Sequence, residues 1–349
     1  MPLRLLSLIL SVILLLGAPS GVTAGPSDLI RYSKSFYDAF DTVISLIGYT
    51  ESEEAFDTVF TGFMDLFMRH HRVYDGYNPY DGVDNLYALN HAPAGAAVPV
   101  EPELMELLVW AKENQPLFNG RVNIAMGSVL EIWHDYRADG TAIPPMDKLT
   151  AANGHIDLDT LILDEESLTV TRTDDNVRID LGAVAKGYTV EKAAKWLLES
   201  PMTSFLINAG GNVRCGHQPH NGKKAWSVGV EDPDHIGQWL DLIYANDLSI
   251  VTSGDYQRYY VVDGVRYHHI IDPDTLMPAA NMRSVTIVTE DSGLADMMST
   301  ALFNMDPETG MAFVNAFDGA EAYWIGTDGS IRFTDGLIPM LYSQGALNL

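Results

Sequence analysis

A carboxylate and a hydroxyl stand four residues apart in Leu294-Ala-Asp-Met-Met-Ser-Thr-Ala301. On a helix, residues at that spacing share one face, a turn apart. The oxygens of Asp296 and Thr300 would then reach one hard cation. Mg²⁺ suits such a pair, because it takes few protein oxygens and shares its other positions with water and phosphates. Read alone, Asp296 also fits a first-turn acid that answers the helix dipole.

Phosphate chemistry has two further candidates. Ile179-Asp-Leu-Gly-Ala-Val-Ala-Lys-Gly-Tyr188 leads into a helical pattern, with Lys186 and Gly187 at its entry. A helix N-terminus and an ammonium group act together on an anion. The spacing of a Walker loop is absent. Asn208-Ala-Gly-Gly211 joins two strand-like runs, and Gly210 and Gly211 would let the backbone approach a phosphate closely. The same glycines serve a plain tight turn equally well. Tyr267-His-His-Ile-Ile-Asp-Pro273 supplies a candidate base with an orienting carboxylate, Asp272. Strand alternation lets only one of His268 and His269 face a given site. Thr252-Ser-Gly254 is another polar corner upstream.

The elements that carry these residues are legible in outline. Phe56, Val59, Phe60, Phe63, Met64, Phe67 and Met68 mark one face of a helix, and the stripe reads as core. Phe40-Asp-Thr-Val43 recurs within it as Phe56-Asp-Thr-Val59, in a different pattern, so the repeat reads as chance. Further helices are expected at 101–113, 189–198, 293–304 and 307–317. Strands are expected at 42–49, 204–208, 225–230, 249–252, 259–262, 265–271 and 284–289. Asp263-Gly264 and Asp328-Gly329 are hairpin turns. Residues 74–90, rich in Tyr, Asp, Asn and Gly, read as a loop. Without regular strand–helix alternation, the order predicts an α+β fold with largely antiparallel pairing.

The 349-residue chain carries 21 Lys and Arg against 47 Asp and Glu, a formal charge of −26. Nucleic acid and anionic membrane surfaces are excluded as main partners, since both are bound by basic patches. An anionic small ligand would need local cations and backbone dipoles. Apolar residues at 47% exclude a disordered chain. Cys215 is the single cysteine, so no intrachain disulfide forms.

Arg4, the apolar run from Leu5 to Leu16 and the small residues up to Ala24 read as a secretory signal over residues 1–24, too short to span a bilayer. Residues 25–349 then form one domain, secreted or periplasmic. Membrane contact would come only through an uncleaved signal, and no cysteine near the cleavage site offers a lipoprotein anchor.

Taken in order, Asp180-Leu-Gly with Ala185-Lys-Gly-Tyr188, Asn208-Ala-Gly-Gly211, Thr252-Ser-Gly254, His269-Ile-Ile-Asp-Pro273 and Ala295-Asp296 with Ser299-Thr300 resemble the ApbE family of FAD:protein FMN transferases. Tyr77-Asn-Pro79, Leu89-Asn90 and Asn123-Ile-Ala-Met-Gly-Ser128 extend the likeness. It runs from about Phe40 to Asn304. The resemblance implies tandem T-fold-like elements, FAD as substrate and a bound Mg²⁺. It makes Asp296, Thr300 and the carbonyl of Ala185 the metal ligands, and His269 the catalytic histidine, with Asp272 beside it. Lys186, Gly210 and Gly211 fall at the diphosphate, and Tyr77 near the dinucleotide. Asp180, Gly187, Asn208, Thr252, Ser253 and Gly254 fall in the same site. Three positions depart from the family pattern: Leu276 and Ala183 stand where Gly is usual, and Asn123 where Asp is common.

The activity so implied is Mg²⁺-dependent transfer of FMN to a Thr hydroxyl of an acceptor flavoprotein subunit of a membrane redox complex, with AMP released. A secreted FAD pyrophosphatase would use the same site with water as attacking group. A flavin-binding protein without catalysis would need neither the metal pair nor the base.

Overall fold

The computed structural model describes residues 29–347, so the signal reading at 1–24 lies outside them. The chain begins with the hairpin β1 (Ile30–Ala39) and β2 (Thr42–Thr50), then α1 (Glu53–Tyr74) and α2 (Leu86–His91). Next come β3 (Ala97–Pro99), α3 (Pro102–Asn114), α4 (Gly127–Asp139), α5 (Met146–Asn153), β4 (Leu161–Asp164) and β5 (Thr169–Arg172). α6 (Ala185–Leu198) leads to β6 (Phe205–Ala209), β7 (Asn212–Cys215), β8 (Trp226–Glu231), β9 (Trp239–Ala245) and β10 (Ser249–Gly254). The hairpin β11 (Tyr259–Val262) and β12 (Val265–His268) precedes β13 (Met282–Thr289), α7 (Ser292–Phe303), α8 (Pro307–Asn315), β14 (Glu321–Gly326) and β15 (Ile331–Phe333).

The architecture is α+β, as expected. One eight-stranded sheet runs β1-β2-β6-β7-β10-β13-β14-β15, every neighbouring pair antiparallel. Period-two alternation splits its side chains between two layers. Ile44, Leu46, Phe205 and Ile207 pack under α1 and α6. Ile47, Tyr49, Val213 and Ile250 pack against Trp226, Val228 and Ile243 of the β8–β9 hairpin.

α1 starts on Ser52, whose hydroxyl accepts the Ala55 N–H at 3.2 Å, with Glu53 and Glu54 in its first turn. The expected stripe holds: Phe56, Phe63 and Phe67 are fully buried. α7 is buried nearly all round, so it runs through the middle of the fold rather than along its surface. Asp296 is therefore a carboxylate held inside the protein, where it needs partners.

Several expectations change. The 74–90 loop gives way to α2 at Leu86, capped by Asn85. The 189–198 helix starts four residues earlier, which places Lys186 and Gly187 in its first turn. The 265–271 strand stops at His268, because the Ile270 N–H turns to His268 Nδ1 at 3.2 Å. β1, β3, β4, β5, β9, α4 and α5 have no counterpart in the sequence reading; α4 buries only Gly127, Val129 and Trp133, too few to mark a stripe. The first copy of the short repeat is the β1–β2 turn, with Phe40 and Asp41 at positive φ, and the second is helical.

Candidate functional site

A cavity of about 2230 Å³ opens where the first turn of α6, the β6–β7 turn, β10, the start of β11, α4 and α7 converge. Its inner end is built by the contact of α6 with α7. A Cβ at Gly187 would stand 2.3 Å from the Ser292 carbonyl oxygen and 2.5 Å from Asp296 Cβ, so only glycine lets the helices close. The Gly187 N–H donates to Asp296 Oδ2 at 2.8 Å. Lys186 Nζ lies 3.8 Å from Asp296 Oδ1. Burial pushes the Asp296 carboxyl up and the Lys186 ammonium down, and their mutual attraction opposes both shifts.

Asp296 and Thr300 both face the cavity, as the spacing predicts, with Ala185 beside them. One turn further, Asn304 Oδ1 is buried without a hydrogen-bond partner, while its Nδ2 donates to the Thr300 carbonyl at 3.2 Å. The Asn212 carboxamide lies by Asp296 and favours its ionised form, yet makes no hydrogen bond of normal geometry. Among the described residues, no three His, Cys, Asp or Glu side chains form a metal cluster. The donors present are a single carboxylate, a hydroxyl, a carbonyl and an unpartnered amide oxygen. Such a set suits a hard cation that keeps waters or phosphates in its shell, and does not suit zinc.

The β6–β7 turn comes next. Gly210 (φ 57°) and Gly211 (φ 95°) take the left-handed region, and a Cβ at Gly210 would strike Thr42 Oγ1. The turn is thus wedged against β2. The Gly211 N–H is already taken by Asn208 Oδ1 at 3.3 Å. On β10, Thr252 Oγ1 pairs with Thr286 Oγ1 at 2.8 Å. Ser253 Oγ pairs with Ser299 Oγ at 2.8 Å, and Ser299 in turn donates to the Asp296 carbonyl. Ser253 thereby ties the sheet to the helical turn that carries the carboxylate. A Cβ on Gly254 would overlap the Tyr256 ring.

His269 faces the cavity just past β12. Its backbone N–H donates to the Arg258 carbonyl at 3.1 Å, and its Nδ1 is buried without a partner. Burial brings its pKa down to about 3, helped by the positive charges of Arg258, Arg137 and Lys186. Its neighbour His268 points elsewhere, with Nε2 on the Ala279 carbonyl at 2.8 Å. At the outer end, the Tyr77 hydroxyl donates to Asp180 Oδ2 at 3.1 Å, and the Tyr77 ring stacks on His134 at 4.5 Å. Asp180 Oδ1 accepts the Gly182 N–H at 2.7 Å.

Asp272 is not brought into this cavity. Its Oδ1 accepts from the Asp274 N–H at 2.8 Å and lies 3.9 Å from Arg121 Nη1. The reason is the turn at 272–277, which Asp272 closes from both its side chain and its carbonyl. Leu276, in place of the usual glycine, keeps a left-handed φ of 60° there. Burial of its side chain against Trp133 holds it, and Trp133 Nε1 donates to its carbonyl at 2.9 Å.

Among the cavity residues that escaped the sequence reading are Arg137 and His134 of α4, Arg258 and Asn304. Arg258 lies only four residues past Gly254, next to a motif already singled out, so its position was a signal. The others sit on helix faces that only packing turns inward.

The ApbE family model matches residues 40–324, most of the chain. The chain belongs to the ApbE family. An FAD:protein FMN transferase of Treponema pallidum (strain Nichols) is 34% identical over 267 residues, covering 72% of this chain and 74% of that one. A Klebsiella pneumoniae (strain 342) protein of the same name is 30% identical, covering 68% and 73%. The crystal structure of an ApbE protein from Thermotoga maritima superposes with a TM-score of 0.78 at 28% identity, covering 88% of this chain and 98% of that one. The site residues named from sequence line one cavity, apart from Gly187 behind its wall and Asp272 outside it.

Proposed function

We propose that the chain transfers FMN from FAD to a threonine hydroxyl of an acceptor protein, with Mg²⁺ and with release of AMP. One observation carries the reading. The buried carboxylate of Asp296 with the half-buried Lys186, Thr300 and the unpaired nitrogen of His269 face a single cavity. Membership of a family whose relatives are named FAD:protein FMN transferase supports flavin transfer itself.

Asp296, Thr300 and the Ala185 carbonyl would hold Mg²⁺, which when bound neutralises charge on the diphosphate. Lys186 and the N-terminus of α6 hold phosphate oxygens. His269 takes the proton of the attacking hydroxyl; it is neutral at physiological pH, as a base must be. The hydroxyl oxygen bonds to the phosphorus of the FMN half, the bond from that phosphorus to the bridging oxygen breaks, and AMP leaves with the electron pair. The cavity exceeds the roughly 300–1,000 Å³ of an ordinary ligand site, which leaves room for an acceptor segment beside FAD.

The acceptor in this reading is an extracytoplasmic flavoprotein subunit of a membrane redox complex, and residues 1–24 direct export. No helix among the described residues is long and apolar enough to cross a membrane. The test is mass spectrometry of a candidate acceptor after incubation with this protein, FAD and Mg²⁺. A threonine bearing one FMN supports the reading. Free FMN and AMP with unmodified acceptor would show a pyrophosphatase, and intact bound FAD a binding protein.

A further inference from the structure

Behind the cavity wall, one turn along α6 from Gly187, stands a second buried carboxylate. Glu191 reaches across to the start of α7, where its Oε2 accepts the Ser292 N–H at 3.1 Å. A helix leaves its first N–H groups without partners of its own. In α7 the Asp291 carboxylate takes the Leu294 N–H at 3.0 Å, and Glu191 takes the one from Ser292. Glu191 Oε2 also lies 3.7 Å from Arg214 Nε of β7, and neither side chain is more than 10% exposed. The pair of Glu191 with Lys195 lies at the surface, where an ion pair contributes little. None of Glu191, Arg214 and Ser292 lines the cavity.

The main chain of Ser292 thus meets α6 twice. Its N–H is held by Glu191, and its carbonyl oxygen packs on Gly187, where a Cβ would stand 2.3 Å away. Gly187 with Asp296 and Glu191 with Ser292 are two polar contacts, one turn apart along the meeting of α6 and α7. Asp296 and Thr300 follow Ser292 at one and two turns along α7. An apolar residue at position 191 would avoid the desolvation of an ion pair, but it would leave the Ser292 N–H without its acceptor. A slip of α7 by one residue moves Asp296 by about 1.5 Å. That is enough to break the 2.8 Å bond from the Gly187 N–H. We propose that Glu191 is a positioning residue: through the Ser292 N–H it fixes α7 along its axis, and thereby where the Asp296 carboxylate and the Thr300 hydroxyl stand for a divalent cation. The grip stands on these hydrogen bonds and contacts alone, while the cation rests on the flavin-transfer reading above.

The experiment measures Mn²⁺ binding by electron paramagnetic resonance, without flavin, for the full chain and for the double variant Glu191→Leu with Arg214→Met. Replacing both members of a buried ion pair by apolar groups of similar size commonly leaves a stable fold, so this variant isolates the loss of the grip on Ser292. Its Mn²⁺ affinity is expected to fall about tenfold or more, as it does when other groups that orient a metal ligand are removed. Glu191→Gln keeps an oxygen for the Ser292 N–H. It is expected to keep most of the affinity, although it leaves Arg214 without a counter-ion and lowers the urea midpoint. Phe63→Leu, in the buried face of α1 and away from the cavity, is the control for lost stability. Its midpoint should fall and its Mn²⁺ affinity should not. Unchanged affinity in the folded double variant, a loss of about tenfold in Glu191→Gln, or an equal loss in Phe63→Leu would overturn the proposal. If the unaltered protein binds no Mn²⁺, the metal reading fails, and amide hydrogen exchange decides the grip. The Gly187 N–H, which donates to Asp296, should then exchange faster in the double variant relative to the other amides of α6. An unchanged relative rate removes Glu191 from the role.

Discussion

The backbone N–H of Gly187 and the carboxylate of Asp296 meet at 2.8 Å across two helices that glycine alone allows to touch. The contact does two things at once. It sets the distance between α6 and α7, and it aims one oxygen of a buried carboxylate while leaving the other toward Lys186 and the cavity. Packing and chemistry share one atom pair.

Gly187→Ala tests that coupling. The new methyl group meets the Ser292 carbonyl and Asp296 Cβ, both main-chain or stem atoms with nowhere to go. Destabilisation of about 1–3 kcal/mol is expected from overpacking, read as a lower urea midpoint with unchanged slope. Mg²⁺ affinity should fall with it. Wild-type metal binding in a stably folded Gly187→Ala protein would separate the two roles.

Asp296→Asn should remove the sole carboxylate of the proposed metal site while nearly keeping its volume. Loss of Mg²⁺ or Mn²⁺ binding by calorimetry, and of Mg²⁺-dependent FMN transfer, is the expected outcome. Lys186 then loses its counter-ion, so its ammonium should become still easier to deprotonate. Retained activity in this variant would move the metal elsewhere.

Acid should weaken the fold through its buried histidines. His70, 7% exposed and hydrogen-bonded to Thr189 Oγ1, has its pKa lowered to about 4 by burial. The native state thus keeps it neutral while the unfolded chain takes up a proton below about pH 6.5. Its stabilising contribution is full above that pH and is lost as the pH falls toward 4, at up to about 1.4 kcal/mol per pH unit. His268 and His269 are shifted the same way. Asp296, shifted upward, works in the opposite sense at lower pH. Urea midpoints at pH 7 and pH 4.5 should differ less in His70→Gln than in the unaltered chain.

His269 should gain basicity when an anion enters. Its pKa of about 3 reflects burial first and then positive charges, among them Arg258, Arg137 and Lys186, and a bound anion would offset the charge part. Titration of the His269 ring by NMR, with and without pyrophosphate, should show an upward shift on binding. A ring that titrates identically in both would leave the depression to burial alone, and would weaken the case for His269 as base.

The sequence by itself determined the one-dimensional facts. The i, i+4 spacing put Asp296 and Thr300 on one face, because helical geometry is local. The stripe from Phe56 to Met68 foretold the buried face of α1 for the same reason. Asp263-Gly264 marked a hairpin because its left-handed backbone, φ 50° and 80°, is a property of those two residues. The ordered blocks were enough to place the chain in its family. Tertiary structure decided what those blocks do together. Asp272 looked like a partner for His269 in sequence, yet hydrogen bonds within its own turn hold it out of the cavity. Arg137 and Asn304 carried no signal in the sequence, and only the packing of α4 and α7 around one cavity brings them to it. The burial of a carboxylate and the exclusion of a Cβ at Gly187 both depend on distances between segments far apart in the chain. No periodicity or composition encodes such distances, because they are fixed only when the whole core closes.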